Sequence, residues 1–211
     1  DMYHFIEVLA KRCEDAGVEI HLNTAVTPEE VAAMGADVVM TAVGAKPVVP
    51  PIPGIDNKKV VGLKVLESEK PEVGQKVAIL GGGLVGSEVA IYLDMLGKDV
   101  TIIEMKDTWA KDSYWMHKVA MDKYIRDSKI QIKVNTAAKE ITDEGIVCTT
   151  PDGEITVEAD TILLAAGMKA DRASADEFLN TAPRVFEVGD AIKAGRVVEA
   201  VKLGYYRALD I

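Results

Sequence analysis

Cysteine is scarce in this chain of 211 residues: Cys13 and Cys148 stand far apart and form no C-x-x-C pair. Neither a disulfide framework nor a thiol relay is expected within it, and both thiols are expected to be buried and inert. Histidine is scarcer still for chemistry, since His4, His21 and His117 are scattered with no second ligand at metal spacing, which leaves no metal site. No G-x-S-x-G elbow and no serine-histidine-aspartate order supports a hydrolase. Apolar runs are short. The longest, around Ile162 to Gly167, falls far below the roughly 20 residues that a membrane-spanning helix needs. Positive charge is outnumbered, 24 Lys and Arg against 34 Asp and Glu, for a net charge of −10. That excludes a nucleic-acid reader relying on bulk positive charge. No basic-then-apolar leader opens the sequence, so a cytoplasmic protein is the expectation. Because Asp1 already stands inside a helical pattern, the chain reads as a piece of something longer. Aromatics make up only 5%. Their most conspicuous group, Trp109, Tyr114 and Trp115 with Met116, is expected to pack in a core or an interface, with contact to an adenine as the alternative.

What is present is an ordinary globular composition, 48% hydrophobic and 27% charged, arranged as alternating helix and strand patterns. Phe5, Val8, Leu9 and Cys13 recur at helical spacing, and Gly17 is suited to close that helix. Val18 to Leu22 alternates like a half-buried strand. Pro28 suits the first position of a second helix, and Asp37 to Val43 reads as a buried strand ending in Gly44. Lys46 to Pro53 holds four prolines in eight residues and is expected to refuse regular pairing and to link two compact bodies. Lys76–Leu80, Leu84–Leu96 and Asp99–Ile103 form a strand-helix-strand unit of about 30 residues, which requires parallel strands. A helix over 113–126 and a strand over 130–134 follow. Short strands at 139–141, 145–150 and 155–158 read as an antiparallel meander. Thr161 to Ala166 is again a continuous apolar strand, ending in Gly167. Arg184 to Val188 is another, ending in Gly189-Asp190, and a helix from about Gly195 closes the chain. The fold class that follows is α/β.

Gly81-Gly82-Gly83-Leu84-Val85-Gly86 matches G-x-G-x-x-G. Alone the pattern is common, but here it follows a strand pattern and opens a helix pattern, the context of a dinucleotide-binding turn. Gly81 permits the tight turn, Gly83 lets a diphosphate approach the backbone, and Gly86 lets helix and strand pack closely. The N–H groups of Leu84 and Val85, at the positive end of the helix, supply the anion site. Glu104 ends the next strand, where an acidic residue accepts bonds from an adenosine ribose and repels a 2′-phosphate, favouring NAD(H). Lys106, two residues on, keeps NADP(H) open. The plainer alternative is a glycine-rich turn without a ligand. Glu88, one turn into the helix, reads from its pattern alone as a solvated glutamate.

Taken in order, the segments Thr41–Pro47, Val77–Glu88, Leu164–Gly167 and Phe186–Asp190 resemble the pyridine-nucleotide-disulfide oxidoreductase-like flavoproteins. Within these the chain looks most like the C-terminal part of the NADH:flavin oxidoreductases related to 2,4-dienoyl-CoA reductase and trimethylamine dehydrogenase. The resemblance implies a Rossmann-like, doubly wound NAD(P)-binding domain over 75–170, inserted into a partial FAD-binding domain made of 1–74 and 171–211. It implies that Glu88 lies near the nicotinamide, that Gly44 and Gly167 line the cofactor clefts, and that Gly189 and Asp190 meet the flavin's ribityl chain and diphosphate. No residue of this chain is assigned a catalytic role. The family's FAD domain starts with its own strand and glycine motif, and none precedes Asp1, so FAD is expected in the intact parent and not on this piece alone. The implied partner is an N-terminal barrel of the parent chain carrying FMN and an iron–sulfur cluster. The implied function is transfer of reducing equivalents from NADH to FAD, with a non-catalytic ADP-holding or structural module as the alternative.

Overall fold

A computed structural model describes residues 2–67 and 71–211. The chain runs through α1 (Met2–Asp15), α2 (Pro28–Ala33), β1 (Val38–Thr41), β2 (Ala45–Pro47), β3 (Val60–Gly62), β4 (Lys76–Leu80), α3 (Leu84–Met95), β5 (Asp99–Ile103), α4 (Trp115–Asp127) and β6 (Gln131–Lys133). It continues through β7 (Ala137–Ile141), β8 (Gly145–Thr150), β9 (Gly153–Glu158), β10 (Thr161–Leu164), β11 (Met168–Ala170), α5 (Arg172–Asp176), β12 (Arg184–Glu187) and α6 (Val197–Leu209).

Five strands form a parallel sheet in the order β3-β10-β4-β5-β6. Their continuous apolar runs follow from burial on both faces. Val77 and Ile79 of β4 point with Val100 and Ile102 toward Ala90 and Leu93 of α3, while Tyr124 and Ile125 of α4 flank the same cluster. Ala78 and Leu80, with Ile103 and Ile162, face the opposite way, onto Ile141, Ile146, Cys148 and Val157 of the antiparallel sheet β7-β8-β9. The crossover helices thus cover one face and the meander covers the other. β4 has β5 on one side and β10 on the other, so the order of the strands reverses beside it.

β1 and β12 pair in parallel, from Val38 opposite Arg184 to Thr41 opposite Glu187. β2 and β11 form an antiparallel ribbon. The ribbon corrects the expectation that the proline-rich stretch cannot pair. The Val48 N–H donates to the Gly167 carbonyl at 2.9 Å, and because hydrogen-bonded pairs alternate along an antiparallel ladder, Pro47 opposite Met168 falls in a pair that needs no N–H.

Other expectations also change. Val18–Leu22 forms no strand and is exposed; alternation makes a strand only where a neighbour takes up its backbone bonds, and among the described residues none does. The stretch read as a buried strand over 37–43 is β1, of which only Thr41 is fully buried. β3 and β11 are strands of three residues with no periodic signature of their own, and β3 supplies the edge of the central sheet although it precedes residue 75. Tyr114, Trp115 and Met116 are exposed at the start of α4. They are not core, because Met121 is the only residue of α4 that is fully buried; Trp109 is half-buried, with the Lys118 ammonium 3.6 Å from its ring centre.

The two thiols part company. Cys148 is fully buried in the meander, and desolvation pushes its thiol up to about 11. Cys13 is exposed on α1, contrary to expectation, since no element covers that side of the helix among the described residues. A disulfide reagent at about pH 8 is therefore expected to react at once with Cys13 and to reach Cys148 only in denaturant, because only an accessible thiolate is nucleophilic. Two fast equivalents in the native protein would contradict this burial.

Candidate functional site

β4 delivers the chain at Leu80 into Gly81–Gly83, and α3 starts at Leu84. Gly81 has φ of +111°, and a Cβ there would stand 2.3 Å from the Ala165 carbonyl oxygen. Both the backbone angle and the neighbour forbid a side chain. At Gly86 a Cβ would lie 2.0 Å from the Gly81 carbonyl oxygen, so this glycine lets α3 press against the turn. Gly83 differs. Its backbone is in the ordinary extended region, and the nearest atoms to an added Cβ are the Asp112 carboxylate oxygens at 3.6 Å. The missing side chain there leaves the backbone open from outside and fills no need of the packing.

The turn is braced from below by Glu104, which is 7% exposed at the end of β5. Its Oε2 accepts the Gly82 N–H and its Oε1 accepts the Lys106 N–H, both at 2.8 Å. The 105–114 segment holds the turn from the side: the Ala110 N–H donates to the Gly82 carbonyl at 2.6 Å, and Asp112 Oδ1 accepts the Leu84 N–H at 2.9 Å.

These groups wall a cleft of about 640 Å³ at the carboxyl ends of β4, β5 and β10. It lies beside the reversal of strand order, where open α/β sheets bind ligands. Gly81, Gly83, Leu84, Val85, Glu104, Lys106 and Gly167 all line it, with Gly86 immediately behind. Glu88 is not among the lining residues; half-exposed on α3, its Oε1 stands 3.6 Å from His117 Nε2 of α4. A smaller hollow of about 420 Å³ between α3 and α4 lies away from the glycine turn. There Asp94 accepts the Tyr124 hydroxyl at 3.1 Å, and burial together with this carboxylate pushes the phenol up.

Gly44, Gly189 and Asp190 belong to a different place. Gly44 and Gly189, with φ of +79° and +63°, follow the paired strands β1 and β12, and the Val188 N–H donates to the Thr41 carbonyl at 3.0 Å. Asp190 Oδ1 accepts the Gly195 N–H at 3.1 Å. Beside them, Thr41 Oγ1 and Glu187 Oε1 are buried without a partner among the described residues. Sequence reading missed Asp112 and the stretch Thr136–Ala138, which also line the main cleft. Lys111-Asp112-Ser113 reads as an ordinary turn ahead of α4, and nothing local shows that it folds back onto Leu84. Among the described residues no group of three His, Cys, Asp or Glu could hold a metal, and no helix is long and apolar enough to cross a membrane.

The family model of the pyridine nucleotide-disulphide oxidoreductases matches residues 18–204. The chain belongs to that family. Cinnamate reductase of Clostridium sporogenes is 35% identical over 202 residues, which are 94% of this chain and 30% of that protein. NADH oxidase of Thermoanaerobacter brockii is 28% identical over 213 residues, 98% of this chain and 33% of that protein. The solved complex of 2-naphthoyl-CoA reductase with 2-naphthoyl-CoA aligns with a TM-score of 0.88 at 31% identity, over 96% of this chain and 31% of that one. The chain therefore spans about a third of the length of these relatives. Pyridine nucleotide-disulphide oxidoreductases are redox enzymes whose cofactors are NAD(H) and FAD, and an α/β fold on a parallel sheet is what this chain shares with them.

Proposed function

We propose that this chain is the dinucleotide-binding part of a larger cytoplasmic flavoprotein that passes reducing equivalents from NADH to FAD. The observation that supports the reading most directly is Gly83: a glycine with no demand from the fold, held open at the N-terminus of α3 where backbone N–H groups and the helix dipole favour an anion. Gly81 and Gly86 shape that seat, and the N–H groups of Leu84 and Val85 face the diphosphate. Glu104 keeps a lone pair on each oxygen beyond those used by Gly82 and Lys106, which suits it to accept the ribose hydroxyls while disfavouring a 2′-phosphate. Lys106 flanks the ribose, and Gly167 borders the cleft beneath the coenzyme. Glu88, one turn further along α3, is assigned to the nicotinamide end. The nicotinamide, when bound, supplies the hydride chemistry; the protein's task is to hold and orient it.

The same reading divides the chain into a nucleotide domain over 75–170, to whose sheet β3 adds an edge strand, and a partial flavin domain over the rest of 1–74 and 171–211, with Gly44, Gly189 and Asp190 directed to FAD. The unpartnered hydroxyl of Thr41 and the free oxygen of Glu187 mark that second place as one with hydrogen-bonding capacity to spare. The parent's barrel, carrying FMN and an iron–sulfur cluster, is the proposed neighbour.

Calorimetric titration with NADH, NADPH and ADP tests the reading. NADH is expected to bind tighter than ADP and NADPH. Gly83→Ala is expected to weaken NADH binding at least about tenfold, some 1.4 kcal/mol, with the melting temperature held. NADH no tighter than ADP points instead to a module that merely holds ADP, and unaltered NADH affinity in the folded Gly83→Ala variant refutes the diphosphate seat.

A further inference from the structure

We propose that Asp112 is a built-in occupant of the diphosphate seat, a carboxylate that must withdraw before the coenzyme settles and that thereby sets its affinity. The inference rests on the reading of the glycine turn given above and deepens it. Three observations converge. The N–H of Leu84, first residue of α3, is spent on Asp112 Oδ1 at 2.9 Å, although this is one of the helix-end donors that a bound anion would use. Both Asp112 oxygens lie 3.6 Å from where a Cβ of Gly83 would be, and the next atom, at 4.0 Å, is the same carboxylate's carbon. The carboxylate therefore stands on the side of the turn that the absent side chain leaves open. Asp112 also lines the cleft itself, together with Lys106 and Lys111.

Such a carboxylate imitates a phosphate: it neutralises the helix end and satisfies an orphan donor while no dinucleotide is there. It cannot share the seat with a diphosphate, because the two anions repel at contact distance. The backbone nearby is pinned, since Ala110 is buried with φ of +46° and its N–H bonds to the Gly82 carbonyl. Asp112, two residues further on, is exposed. Its side chain is free to rotate toward solvent without dragging the segment, and the Leu84 N–H then becomes available to the ligand.

This picture separates from a purely structural helix cap. A cap would make every Asp112 variant bind worse; an internal competitor makes variants bind diphosphates better. The test is equilibrium titration of the 211-residue chain and its Asp112→Ala and Asp112→Asn variants with NADH, ADP and adenosine, alongside melting curves. Asp112→Ala is expected to bind NADH and ADP roughly tenfold tighter, with adenosine, which carries no phosphate, unchanged. Asp112→Asn keeps an acceptor for Leu84 without the charge and is expected to gain a smaller factor; it carries the same expectation should the alanine variant fail to fold. ADP and NADH binding to the variants no tighter than to the parent overturns the role of Asp112 and leaves the seat standing. No binding of either nucleotide to parent or variants removes the seat, and this inference with it.

Discussion

Gly86→Val is expected to destabilise the chain by at least about 3 kcal/mol, the upper range for forcing atoms into a packed site. The Cβ alone would stand 2.0 Å from the Gly81 carbonyl oxygen and 3.3 Å from Ala165 Cβ. Neither neighbour can yield cheaply. The carbonyl belongs to a turn whose glycine already sits at φ of +111°, and Ala165 extends β10, its N–H bonded to the Leu80 carbonyl at 2.8 Å. Relief requires α3 to lift from the sheet, which would uncover Ala90 and Leu93, both fully buried. Gly204→Ala is the control: it also lies within a helix, α6, but a Cβ there meets nothing within 4 Å. It is expected to be neutral or to stabilise by about 0.5–1 kcal/mol, as removal of a helical glycine does. Urea denaturation midpoints measure both. A Gly86→Val protein within about 0.5 kcal/mol of the parent would show that α3 is not pressed on the turn.

Glu104→Ala is expected to cost about 3 kcal/mol, the scale for removing a charged acceptor from a buried Gly82 N–H and a part-buried Lys106 N–H. Gly82 and Lys106 would each lose their 2.8 Å bond, and the first of these holds the glycine turn in shape. Coenzyme affinity is expected to fall with stability, whichever nucleotide is offered, because the seat itself loosens. Glu104→Gln should fall between, since an amide oxygen can accept from one N–H while the amide nitrogen confronts the other. Denaturation and NADH titration of the two variants together check this. An alanine variant as stable as the parent, changed only in its preference between NADH and NADPH, would mean that Glu104 serves the ribose alone.

Much of the central sheet could be read from the sequence because its strands are buried on both faces and so carry continuous apolar runs. Lys76–Leu80 and Asp99–Ile103 begin and end where expected, as does Gly145–Thr150 of the antiparallel sheet. The glycine turn is equally readable, since its G-x-G-x-x-G spacing sits between a strand pattern and a helix pattern. Elements defined by a partner were not. Val60–Gly62 and Met168–Ala170 are strands because β10 and β2 lie beside them, while Val18–Leu22 has the alternation of a strand and none of the neighbours. The site divided along the same line. Gly81, Gly83 and Gly86 announce themselves by their spacing within six adjacent residues. Asp112 reaches Leu84 across 28 positions, and the bracing role of Glu104 depends on a turn 22 positions upstream. Both contacts are products of tertiary folding, invisible to any window of adjacent residues.

The ribbon of β2 and β11 joins the part that carries Gly44 and Gly189 to the part that carries the glycine turn. Its strands start directly after Gly44 and Gly167, whose φ values are +79° and +103°. Across it, the Asp171 N–H donates to the Gly44 carbonyl at 3.1 Å, and the Lys46 ammonium meets the Asp171 carboxylate at 2.8 Å. The two passages of chain are thus zipped into a single tether with a pivot glycine at the head of each strand. Paired in this way, the two passages cannot move independently, so any turn of one part against the other would twist both strands together.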